Sequence, residues 1–437
     1  MEGWKEINLG KLGDTFTGLS GKTKDDFGFG SKYIQYVNIF NNTKIDVENL
    51  ELVNVKSNEK QSKVRFGDIF FTTSSETIEE VGMSSVLLDE VNEDIYLNSF
   101  CFGFRLFDFD SLLPEFAQHL LRAAHMRQSI SMFGKGSTRY NLSKTLLLKD
   151  LVLVFPSSHT EQHKIATILN TLDQSIAQTK SLISKYKNIK KGLMHDLLNY
   201  GIDENGTIRN PQTHTFVEKK GLVVPEEWEV EQLNEIANVS GGKRLPAGHE
   251  YSFENFGFKY LRVTDFYNKR IDYFSLENLE ERTFIELENY EIFPNHLFIS
   301  IAGSIGYVGV NKPNIEDRII LTENALRINV SEVVLPDFLS LQINSAFVQK
   351  QIWSEVGTGG GVPKLAKHRV ESLLIPLPKS RGNYNEQEKI ISIIEQQDKL
   401  IESEQTNLAK LKSLKQGLIA DLLTGKVRVK IDIPTNN

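Results

Sequence analysis

Cysteine is nearly missing: Cys101 is the one thiol in 437 residues. A lone cysteine forms no internal disulfide, which fits a reducing cytosol, and it cannot build a thiolate zinc site. Long apolar runs are missing too, and none approaches the roughly 20 residues that a membrane-spanning helix needs. Residues 1–10 carry Lys5 but no apolar core, so no secretory leader and no membrane are expected, and the chain is placed in the cytoplasm. An excess of positive charge is also absent. Lysine and arginine total 50 against 57 acidic residues, a net charge of −7. A general basic surface for nucleic acid is thereby excluded. Any such contact must come from local patches, or a partner must share the grip.

Catalytic signatures are present only as fragments. Gly21-Lys22-Thr23 ends like a phosphate-binding loop, but the first glycine of that loop would stand at Phe16. Asn210-Pro211-Gln212-Thr213 lacks the second proline and the aromatic residue of an amino-methyltransferase motif, and reads as a turn. Glu218-Lys219-Lys220 has the tail of a nuclease motif without an upstream acidic partner. Phe27-Gly28-Phe29-Gly30 does not match the S-adenosylmethionine-binding pattern, and the nine histidines show no zinc-protease spacing. No catalytic, cofactor-binding or metal-binding residue is expected.

What is there is a repeat. Glu161-Gln162-His163-Lys164-Ile165 opens a segment closed by Gly192-Leu193-Met194-His195-Asp196-Leu197-Leu198. Glu386-Gln387-Glu388-Lys389-Ile390 opens another, closed by Gly417-Leu418-Ile419-Ala420-Asp421-Leu422-Leu423, at an ungapped offset of 225. Trp4 and Leu9 reappear as Trp228 and Leu233 at an offset of 224. A globular segment followed by a long segment is therefore present twice.

The long segments predict helices. Ile165, Ile168, Ile176, Ile183, Tyr186, Ile189, Leu193 and Leu197 recur at steps of mostly three, four and seven, and their counterparts are Ile390, Ile393, Ile401, Leu408, Leu411, Leu414, Leu418 and Leu422. That narrow stripe is the pattern of a coiled-coil interface, interrupted once where Leu172 becomes Gln397. Neither segment contains proline, and Thr160 and Asn385 stand where caps are expected. About 38 residues give a rod of roughly 57 Å.

The globular segments read as mixed α/β. Short β-rich runs (33–40, 68–73, 259–264) alternate with Gly- and Asn-rich turns, helical stretches follow at 114–131 and 336–356, and each segment closes on an apolar strand running into proline. The fold expected is α+β: two mixed α/β domains in a pseudo-twofold repeat, separated by two long antiparallel coiled-coil helices. The expected boundaries are 1–157, a helix over 158–200, a polar linker over 201–225, the second domain at 226–380, a helix over 381–425, and a tail from 426 to 437.

Basic, Gly-flanked loops occupy matching places. Phe133-Gly134-Lys135-Gly136-Ser137-Thr138-Arg139-Tyr140-Asn141 parallels Gly357-Thr358-Gly359-Gly360-Gly361-Val362-Pro363-Lys364. Gly241-Gly242-Lys243-Arg244-Leu245-Pro246 has a looser counterpart in the run from Gly18 through Lys22 to Lys24. Glycine lets backbone approach a phosphate, lysine neutralises it, and arginine or asparagine can read a base edge. Lys22, Lys24, Lys135, Arg139, Asn141, Lys243, Arg244 and Lys364 are the candidate DNA-contacting residues.

The paired Glu-Gln-x-Lys-Ile helices and the linker from Gly201-Ile202-Asp203 to Trp228 resemble the specificity subunits of type I restriction-modification systems. Ile299-Ser300-Ile301-Ala302-Gly303-Ser304-Ile305-Gly306 and Leu321-Thr322-Glu323-Asn324 resemble one type of target-recognition domain. The first segment departs from it, with Phe71-Thr72-Thr73-Ser74-Ser75 where the Ser-Ile-Ala-Gly run would be. The resemblance implies a non-catalytic subunit in which each domain reads one half of a split site on double-stranded DNA. It also implies two methyltransferase subunits that bring S-adenosylmethionine, and motor-nuclease subunits for cleavage. The competing reading from the residues alone is a scaffold whose two repeated domains bind protein.

Overall fold

The structure is a computed structural model that describes residues 3–267, 270–354, 363–379 and 384–430. It divides into two compact units, Met1–Ser181 with Gln405–Asn437, and Leu182–Glu404.

In the first unit, β1 (Gly13–Thr17), β2 (Ile69–Thr72), β3 (Ser84–Val86) and β4 (Cys101–Leu106) form an antiparallel sheet in the order β1-β4-β2-β3. Every residue of Ile69–Thr72 is buried, as a central strand covered on both faces requires. Beside this sheet, Phe27–Ile34 pairs antiparallel with Glu51–Val53 and parallel with Ile95–Leu97. The predicted strand over 33–40 stops at Ile34, and Tyr36–Asn41 is a helix on which the i,i+4 rings of Tyr36 and Phe40 stack at 5.8 Å. The closing apolar strand Val152–Pro156 pairs back on Trp4–Asn8.

The predicted helix over 114–131 is two helices, α1 (Pro114–Leu120) and α2 (Ala124–Ser131), with Arg122 in the break. A polar ribbon, Gly134–Lys135 with Tyr140–Leu142 and Ser74–Ser75, completes the domain.

The second unit repeats this topology. β5 (Ala237–Gly241), β6 (Leu297–Ser300), β7 (Val308–Val310) and β8 (Ala325–Val330) run in the order β5-β8-β6-β7. Phe258–Leu261 pairs antiparallel with Glu277–Asn278 and parallel with Arg318–Leu321. Trp228–Gln232 pairs with Leu374–Pro378, Trp228 opposite Pro378 as Trp4 is opposite Pro156. The second late helix is also broken, giving α4 (Pro336–Ile343) and α5 (Ala346–Ser354) on either side of Asn344 and Ser345. In the polar linker, Phe216–Lys219 and Leu222–Pro225 form a hairpin whose turn, Lys220-Gly221, has two positive φ angles of 48° and 80°. Lys220 is paired there with Glu231 and Glu235.

The long segments are helices α3 (His159–Asn199) and α6 (Asn385–Leu422). The first starts earlier than the Thr160 cap implied: Ser158 Oγ accepts from the Glu161 amide at 3.4 Å. Each compact unit contains one half of each helix. In the first unit, Asp173 pairs with Lys415; in the second, Lys190 pairs with Asp398 at 2.5 Å. These pairs are copies of one another at the 225-residue offset. Together with the outer contact Glu161–Arg428 and the inner contact Asp173–Lys415, they show that the halves run antiparallel within a unit.

Most of the stripe is covered, its end members by the domain cores. Ile165, Leu197, Ile390 and Leu422 are buried, Ile176, Ile183 and Ile401 nearly so, and Ile168, Leu193, Ile393, Leu408 and Leu418 partly. Two members are corrected: Ile189 and Leu414, again repeat copies, face solvent, and Leu169 and Ile394 take buried places that the periodicity did not assign.

The Glu-Gln opening of each helix is a clasp. Glu161 accepts from Arg428 Nε at 2.6 Å, and Glu386 accepts from Arg209 Nη1 at 2.6 Å. Gln162 accepts from the Leu113 amide at 2.9 Å and Gln387 from the Leu335 amide at 2.8 Å, so each glutamine satisfies an orphan amide just before a helix that starts with proline.

Candidate nucleic-acid interface

In the second unit, three separate motifs converge at the strand ends on one side of the β5-β8-β6-β7 sheet. Gly242 N donates to Ala325 O at 3.2 Å and Lys243 N to Leu321 O at 2.9 Å. Ile301 N donates to Asn324 O at 2.8 Å, and Leu365 N to Ile301 O at 2.9 Å. The loop bearing Lys243 and Arg244, the Leu321–Asn324 run, the Ile301-Ala302 run and Lys364 are thus stitched side by side. Gly242 is required by this closeness, because a Cβ there would fall 2.0 Å from Thr322 O.

The first unit builds the same scaffold from a different sequence. Leu19 N donates to Leu97 O at 2.7 Å, Thr73 N to Phe100 O at 3.0 Å, and Leu142 N to Thr73 O at 2.8 Å. Gly18 takes the place of Gly242, with a would-be Cβ 2.1 Å from Asn98 O. Thr72 Oγ1 accepts from Met83 N at 3.0 Å as Ser300 Oγ accepts from Tyr307 N at 2.9 Å. The run from Phe71 to Ser75 departs in sequence from Ser-Ile-Ala-Gly but performs the same backbone work.

The candidate residues fall unevenly on this scaffold. Lys135, Arg139 and Asn141 are exposed on one ribbon, Lys135 opposite Asn141 in register. Lys364 is exposed and bridges Ala302; its place relative to the following buried leucine is that of Asn141. Residues 357–362 of that second loop lie outside the described residues. Arg244 is exposed and meets Glu323 at 3.3 Å, while Lys243 Nζ lies 5.9 Å from the centre of the Tyr290 ring.

Lys22 is not available for a ligand. Its side chain is 5% exposed, paired with Glu59 at 2.5 Å and bonded to Asn54 O. Lys24 is exposed but lies in a separate short helical turn, where Thr23 and Asp26 cap one another. The matched loop position is Gly18-Leu19, and Leu19 is buried where Lys243 is exposed.

Sequence reasoning took Glu323 only as part of a motif and passed over Phe100, both of which stand at the converging segments, and it passed over two arginines of the late helix pair. Arg122 donates to the carbonyls of Ser84, Ile39, Phe40 and Asn42 at 2.5–3.0 Å. Arg127 donates to those of Gly82, Glu79 and Val81 at 2.5–3.0 Å. Burial pushes both guanidinium groups down to about 10. No signal in one sequence marks such residues. Among the described residues no cluster of His, Cys, Asp and Glu could hold a metal ion, and no helix is long and apolar enough to cross a membrane. Cys101 is buried, which pushes its thiol up to about 12.

Each of the two repeated domains carries exposed basic side chains on loops at one end of its sheet. The chain belongs to the type I restriction modification DNA specificity domain family, whose model matches residues 1–187 and 225–413. It is 25% identical over 275 residues to the type I restriction enzyme MjaVIII specificity subunit of Methanocaldococcus jannaschii, an alignment spanning 62% of this chain and 61% of that protein. It is 23% identical over 418 residues to the putative MjaX specificity subunit of the same organism, spanning 94% and 91%. In fold it is similar to the crystal structure of the S subunit of a type I restriction-modification system from M. genitalium. There the TM-score is 0.54 at 17% identity, covering 98% of this chain and 96% of that one.

Proposed function

We propose that this chain is the non-catalytic DNA-reading subunit of a type I restriction-modification complex, and that each unit reads one half of a split, asymmetric DNA site. The observation that carries the reading is the matched scaffold: four equivalent segments joined by equivalent hydrogen bonds, with different side chains displayed on each. A common frame with different displayed groups is what two half-sites of different sequence require. Lys135, Arg139 and Asn141 read or grip one half-site, and Lys243, Arg244 and Lys364 the other. Lys22 has no part in it. Helices α3 and α6 act as a coiled coil that fixes the spacer, and carry two methyltransferase subunits, which bring S-adenosylmethionine; motor-nuclease subunits join for cleavage in the cytoplasm. The net charge of −7 accords with partners that share the phosphate contacts.

The test is to map modified adenines in a cell that carries the chain and its methyltransferase. A two-part motif with a fixed spacer is expected. Inserting one helical turn of four residues into both long helices, after Ser181 and after Thr406, adds roughly 6 Å and keeps the helical face. At about 3.4 Å per base pair, the spacer should lengthen by one or two base pairs with the bases read unchanged. An active insertion variant with an unchanged spacer removes the helices from the role of ruler. A chain that neither shifts DNA nor supports any modified motif leaves the protein-binding scaffold as the better account.

A further inference from the structure

The two late helix pairs occupy equivalent places but reach the sheet with different chemistry. Arg122 and Asn344 each stand in the helix break, eight residues after Pro114 and Pro336. Arg122 donates to the carbonyl of Ser84, the first residue of β3; Asn344 donates, at 3.3 Å, to that of Val308, the first residue of β7. Five residues further on, Arg127 donates to Gly82 O at 2.6 Å and Gln349 to Gly306 O at 3.0 Å. Both glycines have a left-handed backbone, with φ of 67° and 78°. The same carbonyls are held from the same helix positions, by guanidinium groups in one unit and by carboxamides in the other.

What these side chains hold is the segment that supports the candidate interface. In the first unit, residues 73–83 run from the end of β2 to the start of β3, and Ser74 and Ser75 pair with Asn141 and Tyr140. Arg127 closes on the far end of that segment through Glu79, Val81 and Gly82, and Arg122 ties β3 to the C-terminal end of the Tyr36–Asn41 helix. Every oxygen they bond is a backbone carbonyl. Charge-assisted bonds to backbone carbonyls of this kind fix loop geometry, and Arg122 Nη1 adds a contact to Met83 Sδ at 3.7 Å. Groups that read base edges need placement within about 0.5 Å.

We infer that Arg122 and Arg127 in the first unit, and Asn344 and Gln349 in the second, are positioning residues that pin the strand-end segment under the DNA-reading loops, each set acting on its own half-site. The inference rests on the DNA-reading function proposed above. It assigns these residues no contact with DNA.

Two measurements on the full chain test it. Amide hydrogen exchange on Arg127→Ala should show residues 73–83 and 134–142 exchanging about tenfold faster or more, with the second unit unchanged. Arg127→Gln borrows the second unit's side chain, keeps the reach to Gly82 and should restore much of the protection, so a folding failure of the alanine variant does not end the test. In cells that also carry the methyltransferase, Arg127→Ala should loosen the bases accepted in one half-site and Gln349→Ala those in the other. Unchanged exchange around residues 73–83 in both Arg127 variants, or equal loosening of both half-sites by either variant, overturns the inference. If the wild-type chain itself yields no two-part motif, the DNA-reading function fails, and the exchange experiment still decides whether the pins hold the segment.

Discussion

The two halves of this molecule are alike in the bonds that no one sees in a sequence and unlike in the residues one would align. Both sheets have the same strand order, both interface edges close on the same backbone bonds, and both carry a glycine whose missing Cβ allows that closure. Yet Lys243 answers to buried Leu19, Lys364 to Asn141, Gln349 to Arg127. The difference teaches where selection has freedom: backbone partners are preserved as a frame, and displayed groups vary upon it. The long helices show the reverse, since there the side chains themselves repeat, down to Asp173–Lys415 and its copy Lys190–Asp398.

That contrast can be broken most severely in the helices. Ile176→Asp should lower the stability of the first unit, and Ile401→Asp that of the second, by about 3 kcal/mol or more, since each puts charge in a buried apolar stripe. Thermal melts of both variants and of the double variant check it, and a normal melt for the double variant would mean that the helices do not pack through these residues.

The two clasps should differ in strength. Glu386 also accepts from Trp228 Nε1 at 3.1 Å and from the Ile202 amide at 2.8 Å, and its partner Arg209 is 7% exposed. Trp4, the repeat counterpart of Trp228, has a buried indole N–H with no hydrogen-bond partner among the described residues. Glu386→Gln is therefore expected to cost about 3 kcal/mol. Glu161→Gln, facing the far more exposed Arg428, should cost about 1–2 kcal/mol. Urea unfolding of the two variants compares them directly; equal losses would show that the two clasps are equivalent.

On DNA, Arg139→Ala should cost ~1–3 kcal/mol at one position if the arginine reads a base, while Lys135→Ala should weaken all sequences alike and flatten the salt dependence. Lys22→Ala should leave the salt dependence of binding unchanged, since its ammonium group is already bonded to Glu59. Titrations at several salt concentrations separate the three.

The smallest expected effect is one of pH, and it concerns a buried histidine of the first unit. Burial pushes His119 down to about 4, and its ring bonds Asn170 Oδ1 at 2.8 Å; five residues after the corresponding proline, the second unit has Leu341. The unfolded chain takes up this proton more readily than the folded one, so the contribution is present above pH 6.5 and is lost as pH falls toward about 4. His119→Gln should flatten this part of the acid destabilisation, read by urea unfolding at pH 7 and pH 5.

The helices and the repeat were legible in the sequence because an ungapped offset preserves every periodic position. The domain topology was less so. Insertions move the offset from 224 at Trp4 to 228 at Ile69 and 222 at Pro114 before it settles at 225, so equivalent strands do not line up. Pairings such as Thr17 with Phe102, and the parallel pair Lys32 with Ile95, join residues far apart in sequence that no local pattern connects. At the candidate interface, charge and glycine marked Lys135 and Arg139 as exposed, but the same cues marked Lys22, whose neighbour Glu59 neutralises it. Arg127 went unnoticed because a guanidinium and a carboxamide doing one job leave no shared letter.

The division of the long helices has a consequence for biosynthesis. Leu418, Ile419, Leu422, Leu423 and Val429 belong to the apolar cluster of the unit whose other members end at Leu169. A ribosome that has passed Ser181 has made the first domain but not the helix that covers it, and at roughly 5–20 residues per second the missing segment follows some 12–50 seconds later. The unit formed from Leu182–Glu404 is continuous and complete earlier. The domain that is synthesised first is therefore the last to mature, and in that interval its uncovered Ile165 and Leu169 face are the nascent chain's point of exposure to aggregation and to chaperones.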